Sequence, residues 1–158
     1  MESDIVSLAQ MNSDKKVMEY FPNTLSQDES IEIVNRINKH FDRNGFGLFA
    51  IKLKETSEFI GFTGFSIPSF ESHFTPSTEI VWRYKKEVWG NGYASEAAKV
   101  CLRYCFETLK FDKVFSFTAV VNKPSEELMK RIGMQYIAGS NISELNRDIF
   151  FANMYCTR

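Results

Sequence analysis

Apolar positions near the start of the chain recur at helical spacing, with Ile5, Leu8 and Ala9 on one face of a short helix predicted over Asp4 to Met11. Ser26 followed by Glu29 forms a capping box, and Ile33, Val34, Ile37 and Phe41 mark a second helix that stops at Asn44-Gly45. The pattern then becomes that of extended chain in GLFAIKL and, past a polar turn at Lys54 to Ser57, in EFIGFTGFSI. These two strands read as a β-hairpin. PSFESHFTPST is a loop bounded by prolines, and a third strand runs from about Thr78 to Tyr84. After EVWGNGY the helical period returns at Ala94, Ala97, Ala98, Cys101, Leu102, Cys105, Phe106 and Leu109, with Glu96, Lys99, Arg103, Glu107 and Lys110 on the other side. A strand at KVFSFTAVV follows, then a short helix from about Ser125 to Ile132 ended by Gly133. Two last strands, MQYIA and IFFANMYC, flank a polar loop from Gly139 to Asp148.

Two helices, three strands, a helix, a strand, a helix and two strands make an α+β order. Its sheet is expected to be mixed and mostly antiparallel, with flanking helices and one parallel crossover around the long helix. The 158 residues read as a single domain, 1–158, long enough to bury about 70% of the surface its unfolded form exposes without a metal or disulfide. Fifteen phenylalanines point to a well-filled core. Nineteen basic against 20 acidic residues leave a net charge of -1, so no basic field draws in nucleic acid or anionic lipid. No apolar run approaches a membrane span. Cys101, Cys105 and Cys156 read as free thiols in a reducing, cytoplasmic setting, and with only His40 and His73 beside them no metal site is expected.

The remaining signal is the pair Gly90 and Gly92 between a strand and a helix. Unpaired N–H groups, the helix dipole and bare backbone make such a loop a generic anion cradle. It lacks the Gly-Lys-Ser/Thr of a triphosphate loop. A dinucleotide fingerprint belongs to alternating parallel strands and helices, which the hairpin-first order contradicts. Taken alone, the glycines are equally compatible with a tight turn.

They do not stand alone. EIVWRYKKEVWGNGYASEAA, followed by NKPSEELMKRIGM, resembles the acetyl-CoA-binding signature of the GNAT acetyltransferases, in the branch of the ribosomal-protein N-terminal acetyltransferases. The match is carried by Glu79, Ile80, Trp82, Trp89, Gly90, Gly92, Tyr93, Ala94, Ser95, Glu96, Ala97, Asn122, Ser125, Gly133 and Met134. The resemblance implies a GNAT-like fold and acetyl-CoA as co-substrate. The loop Val88, Trp89, Gly90, Asn91, Gly92, Tyr93 and Ala94 would receive the pyrophosphate, and the backbone of Val81, Trp82, Arg83 and Tyr84 the pantetheine arm, between two splayed strands. Arg131 would reach the 3′-phosphate, against the plainer reading of a solvated helix arginine. Two positions depart from the pattern. Glu87 stands where the family usually has Gln or Arg, and the usual first strand, R-L-x-L-R-x-[WF], is not present before ESDIVSLAQMNSD. Either the true start lies upstream, or the strand is lost, which would leave the GLFAIKL strand with an open edge and favour a homodimer.

The resemblance also implies the chemistry: transfer of an acetyl group to a primary amine, a protein N-terminus or a small molecule, directly within a ternary complex. Glu79 would be the base, by itself or through a water, rather than a salt-bridge carboxylate. Asn122, otherwise a helix cap, would hold the pantetheine amide or the amine, and Ser125, otherwise a first-turn residue, would pass a proton to the thiolate. The loop Pro68 to Pro76, with Phe70, Glu71, His73 and Phe74, would cover the acceptor. The rival classes are a non-catalytic CoA-binding module and a phosphate- or nucleotide-binding protein of other chemistry.

Overall fold

A computed structural model describes residues 4–68, 77–142 and 147–155. The elements are α1 (Ile5–Ser13), α2 (Gln27–Asn44), β1 (Leu48–Lys52), β2 (Phe59–Ser66), β3 (Glu79–Tyr84), α3 (Tyr93–Tyr104), β4 (Lys113–Ala119), α4 (Lys123–Arg131), β5 (Gln135–Ile142) and β6 (Arg147–Tyr155). The order is the expected one, and the class is α+β. Contacts group the residues into two compact units, one of 1–65 with 81–94 and one of 66–80 with 95–158.

In the first unit α2 begins where the capping box requires. The Ser26 hydroxyl accepts from Glu29 N at 3.2 Å and the Glu29 carboxylate accepts from Ser26 N at 2.7 Å, so two otherwise orphaned donors are satisfied. Gly45, at φ 75°, ends the helix in the left-handed conformation that an L side chain resists. α1 and α2 cover one face of an antiparallel β1–β2 pair, and Leu8, Met11, Val17, Val34, Phe59 and Phe62 form the core. β2 is buried along nearly its whole length rather than on alternate residues, so both its faces are covered.

In the second unit β4 pairs antiparallel with β6 from Lys113↔Tyr155 to Ala119↔Ile149, and β6 pairs antiparallel with β5. The start of β3 joins β4 in parallel, which is the predicted crossover. The last hairpin is longer than its sequence indicated. Gly139 to Ile142 and Arg147 to Asp148, predicted as loop, continue the ladder because backbone pairing with the facing strand does not depend on apolar side chains. The long helix runs as α-helix to Tyr104 and then widens into a π turn over Cys105–Leu109, closed by Lys110 at φ 59°. α4 starts two residues earlier than predicted, at Lys123, because Asn122 caps it. The loop Pro68 to Pro76 from Ser69 onward, including His73, lies outside the described residues, as does Cys156.

Candidate active site

The predicted residues divide between the two units. The first carries Val81 to Ala94. Trp82 and Arg83 are half-buried, and a short 3-10 turn at Lys86–Val88 leads from β3 into the glycine loop. Trp89 braces the loop by donating from Nε1 to the carbonyl of Tyr84 at 3.0 Å, while Asn91 Nδ2 donates to the carbonyls of Val88 at 3.2 Å and Trp89 at 3.4 Å. Gly90 and Gly92 sit at φ 80° and 84°, conformations that glycine adopts without penalty. A Cβ at either would meet nothing within 4 Å, so the loop faces open space. Among the described residues the N–H groups of Gly90, Asn91 and Gly92 donate to no partner. Open donors immediately before a helix N-terminus are the makings of an anion site. Beside the loop, the first unit has a cleft of about 290 Å³ lined in part by Asp14, Glu58, Lys85, Glu87 and Val88.

The second unit holds the predicted catalytic residues. Glu79 opens β3 and accepts a hydrogen bond from Ser66 Oγ at 3.2 Å. Burial pushes its carboxyl up to about 8, only partly opposed by the Ser66 bond. Ser66 was not singled out in the sequence; it comes opposite Glu79 because β2 ends and β3 begins on the two sides of one connection, which local periodicity does not display. The Ser77 hydroxyl, two residues before Glu79, is buried without a partner among the described residues.

β3 and β4 share a single register pair, Glu79 with Phe115, supported by the bond from Phe115 N to the Thr78 carbonyl at 2.9 Å. β3 continues for five residues after this pair and β4 for four, with no further pair joining them among the described residues.

Asn122 Oδ1 accepts from Ser125 N at 3.2 Å, so the plainer reading of Asn122 as an N-cap is realised, and its Nδ2 is left without a bond among the described residues. Arg131, exposed at the end of α4, places Nη1 3.4 Å from the hydroxyl of Ser95 in the first turns of α3. It is thus engaged with the helix that the glycine loop opens. Cys101 and Cys105 are buried free thiols, and burial pushes Cys101 up to about 11, the reverse of an activated nucleophile. Among the described residues no group of side chains is arranged to hold a metal, and no helix is long and apolar enough to cross a membrane.

Residues 1–135 match the family model of the acetyltransferase (GNAT) domain. The chain belongs to the GNAT acetyltransferases. As a GNAT enzyme it is an acetyl-CoA-dependent acyltransferase. It is 32% identical over 124 residues to YkkB of Bacillus subtilis (strain 168), covering 78% of this chain and 71% of that protein. Among solved structures, a putative ribosomal-protein-serine acetyltransferase from Vibrio cholerae superposes with a TM-score of 0.80 at 14% identity, over 99% of this chain and 90% of that one. A spermidine N-acetyltransferase from Vibrio cholerae, in complex with CoA and spermine, superposes with a TM-score of 0.75 at 20% identity, over 98% and 91%. At these identities the GNAT fold is shared.

Proposed function

We propose that this GNAT enzyme transfers the acetyl group of acetyl-CoA directly to a primary amine, with Glu79 as the base. The observation that carries the reading is Glu79 itself, a carboxylate at the start of β3 that accepts from Ser66 Oγ at 3.2 Å and whose carboxyl burial pushes up to about 8. On this reading the backbone of Val81 to Tyr84 takes the pantetheine arm, and the Glu79 carboxylate serves the reacting thioester. The N–H groups of Gly90, Asn91 and Gly92 hold the pyrophosphate, those of Val88 and Trp89 being bonded to the carbonyls of Lys85 and Lys86, with Trp89 as a wall of the groove. Arg131 takes the 3′-phosphate, and the Asn122 Nδ2 takes an amide of the pantetheine arm.

In the reaction the amine nitrogen attacks the thioester carbonyl, and a backbone N–H of β3 meets the developing oxyanion. The C–S bond then breaks and the thiolate leaves with a proton relayed through Ser125, while Glu79 receives the proton lost from nitrogen. A carboxyl near about 8 is matched to this task, since a base is most effective when its pKa lies close to the working pH and to that of the amine, about 8 for an α-amino group. Glu79 works only when ionised, so kcat/KM should rise with pH through about 8.

Glu79→Gln tests the assignment. It should lower kcat by about 10²–10⁴, leave the Kd for acetyl-CoA unchanged and remove the Glu79 ionisation from the pH profile, with only the amine's own left. An equal loss of turnover and cofactor affinity would reject Glu79 as the base.

A further inference from the structure

The side chain of Glu79 is held by one contact. Among the described residues its carboxylate has a single hydrogen-bond partner, Ser66, the last residue of β2, whose Oγ donates to Oε2 at 3.2 Å. Oε1 is bonded to nothing in the same set of residues. Both residues belong to the second unit, so the contact lies within one compact body.

No cation among the described residues shares the task. Across the register pair β4 sets Phe115 beside Glu79, and Lys113, two positions earlier on that strand, stands with its ammonium 5.6 Å from the centre of the Phe115 ring. On α4, Lys123 and Lys130 each pair with Glu126 at 2.8 Å, and Arg131 reaches toward Ser95. Lys99, Arg103 and Lys110, on the long helix and its π turn, are exposed, as are the acidic groups Glu96, Glu107 and Asp112. What steadies the ionised form of Glu79 is thus a neutral hydroxyl rather than a charge.

A hydroxyl suits a group that changes its protonation during a reaction. It donates to the carboxylate and, by turning its O–H, accepts from the carboxylic acid, whereas a backbone N–H serves the ionised form alone. The bond to the ionised form is the stronger of the two, so Ser66 opposes the burial that raises the carboxyl. The last torsion of a glutamate is otherwise broad. With Oε2 tied, the second oxygen keeps one direction.

We propose that Ser66 is the positioning residue of the base: its hydroxyl holds Oε2 of Glu79, so that Oε1 is presented to the amine and takes its proton. The inference rests on the reading of Glu79 as base. In the step itself an N–H bond of the attacking nitrogen breaks, its electron pair stays on nitrogen and the proton bonds to Oε1, while the O–H of Ser66 stays intact.

The test follows the Glu79 carboxyl carbon by NMR through a pH titration of the full chain and, in parallel, the pH profile of kcat/KM for thiol release with the best acceptor of a panel of peptides and small amines. Removing a donor to the ionised form raises the midpoint. Ser66→Ala should therefore move it up by about half a pH unit or more in both experiments, about a threefold loss of rate at neutral pH, and should lower kcat on the high-pH plateau with the Kd for acetyl-CoA unchanged. Ser66→Cys, similar in size and a weak donor, should act in the same direction and replaces the alanine variant if that one is unstable. Ser66→Thr keeps the hydroxyl and should bring midpoint and plateau back toward the wild type. Ser77→Ala removes a buried hydroxyl two residues from Glu79 that is not bonded to it, and should leave the midpoint in place. A midpoint unmoved or lowered by Ser66→Ala, or moved equally by Ser77→Ala, would overturn the proposal and leave Glu79→Gln to decide the base. A shift of the carbon titration without any shift of the rate profile would instead defeat Glu79 as the base, and the role of Ser66 with it.

Discussion

Two pairs of glycines in the first unit serve opposite ends. Gly61 and Gly64 lie in β2, where an added Cβ would run into backbone: the Arg83 carbonyl at Gly61 and the Gly47 carbonyl at Gly64. Here the missing side chain lets neighbouring chain segments close on one another. Gly90 and Gly92 have nothing within 4 Å of the same hypothetical atom, and their N–H groups have no partner among the described residues. Here the missing side chain leaves room and donors for something that is not protein. A glycine's role is thus decided by what stands opposite it, and only the second pair is arranged to receive a ligand.

That contrast can be broken at its closed end first. Gly61→Ala forces a methyl group against a carbonyl oxygen in a fully buried strand, with no flexible side chain to give way. It should cost about 3 kcal/mol or more, measured by denaturant unfolding, and a loss below about 1 kcal/mol would show that β2 is not closed at that position. Gly90→Ala is the smaller perturbation at the open end. There is space for the methyl group, so only the left-handed backbone resists it, at about 1–2 kcal/mol. The same unfolding experiment should rank the two substitutions in this order.

Much of this architecture was legible in the chain because it depends on local pattern. Ser26 and Glu29 are three residues apart and form the capping box that their spacing predicts. The apolar stripe from Ala98 to Cys105 is buried as its period requires. Asn122 was read both as a cap and as a pantetheine ligand, and the capping bond to Ser125 N is present. The partners of the candidate site were not legible. Ser66 reaches Glu79 across 13 positions, Asn12 reaches Arg83 across 71 and Ser95 meets Arg131 across 36. Such pairs follow from strand register and helix docking, neither of which is written in the period of a single segment. The π turn at Cys105–Leu109 escaped for a related reason, since its apolar positions continue the helical spacing and nothing in them marks the wider turn. The raised pKa of Glu79 has the same origin: burial by chain distant in sequence turns an ordinary carboxylate on a predicted strand into a group able to act as a base near neutral pH.

The open glycine loop as the phosphate cradle of acetyl-CoA is the claim on which the rest depends. It is tested most directly by calorimetric titration of the wild type and of Gly92→Asp with acetyl-CoA. Aspartate tolerates the left-handed conformation better than most residues, so the variant should stay folded while placing a negative charge where the pyrophosphate is expected. Micromolar binding by the wild type, weakened at least tenfold in a folded Gly92→Asp, is the predicted result. Equal affinity in the two proteins, or no binding by the wild type, would contradict it.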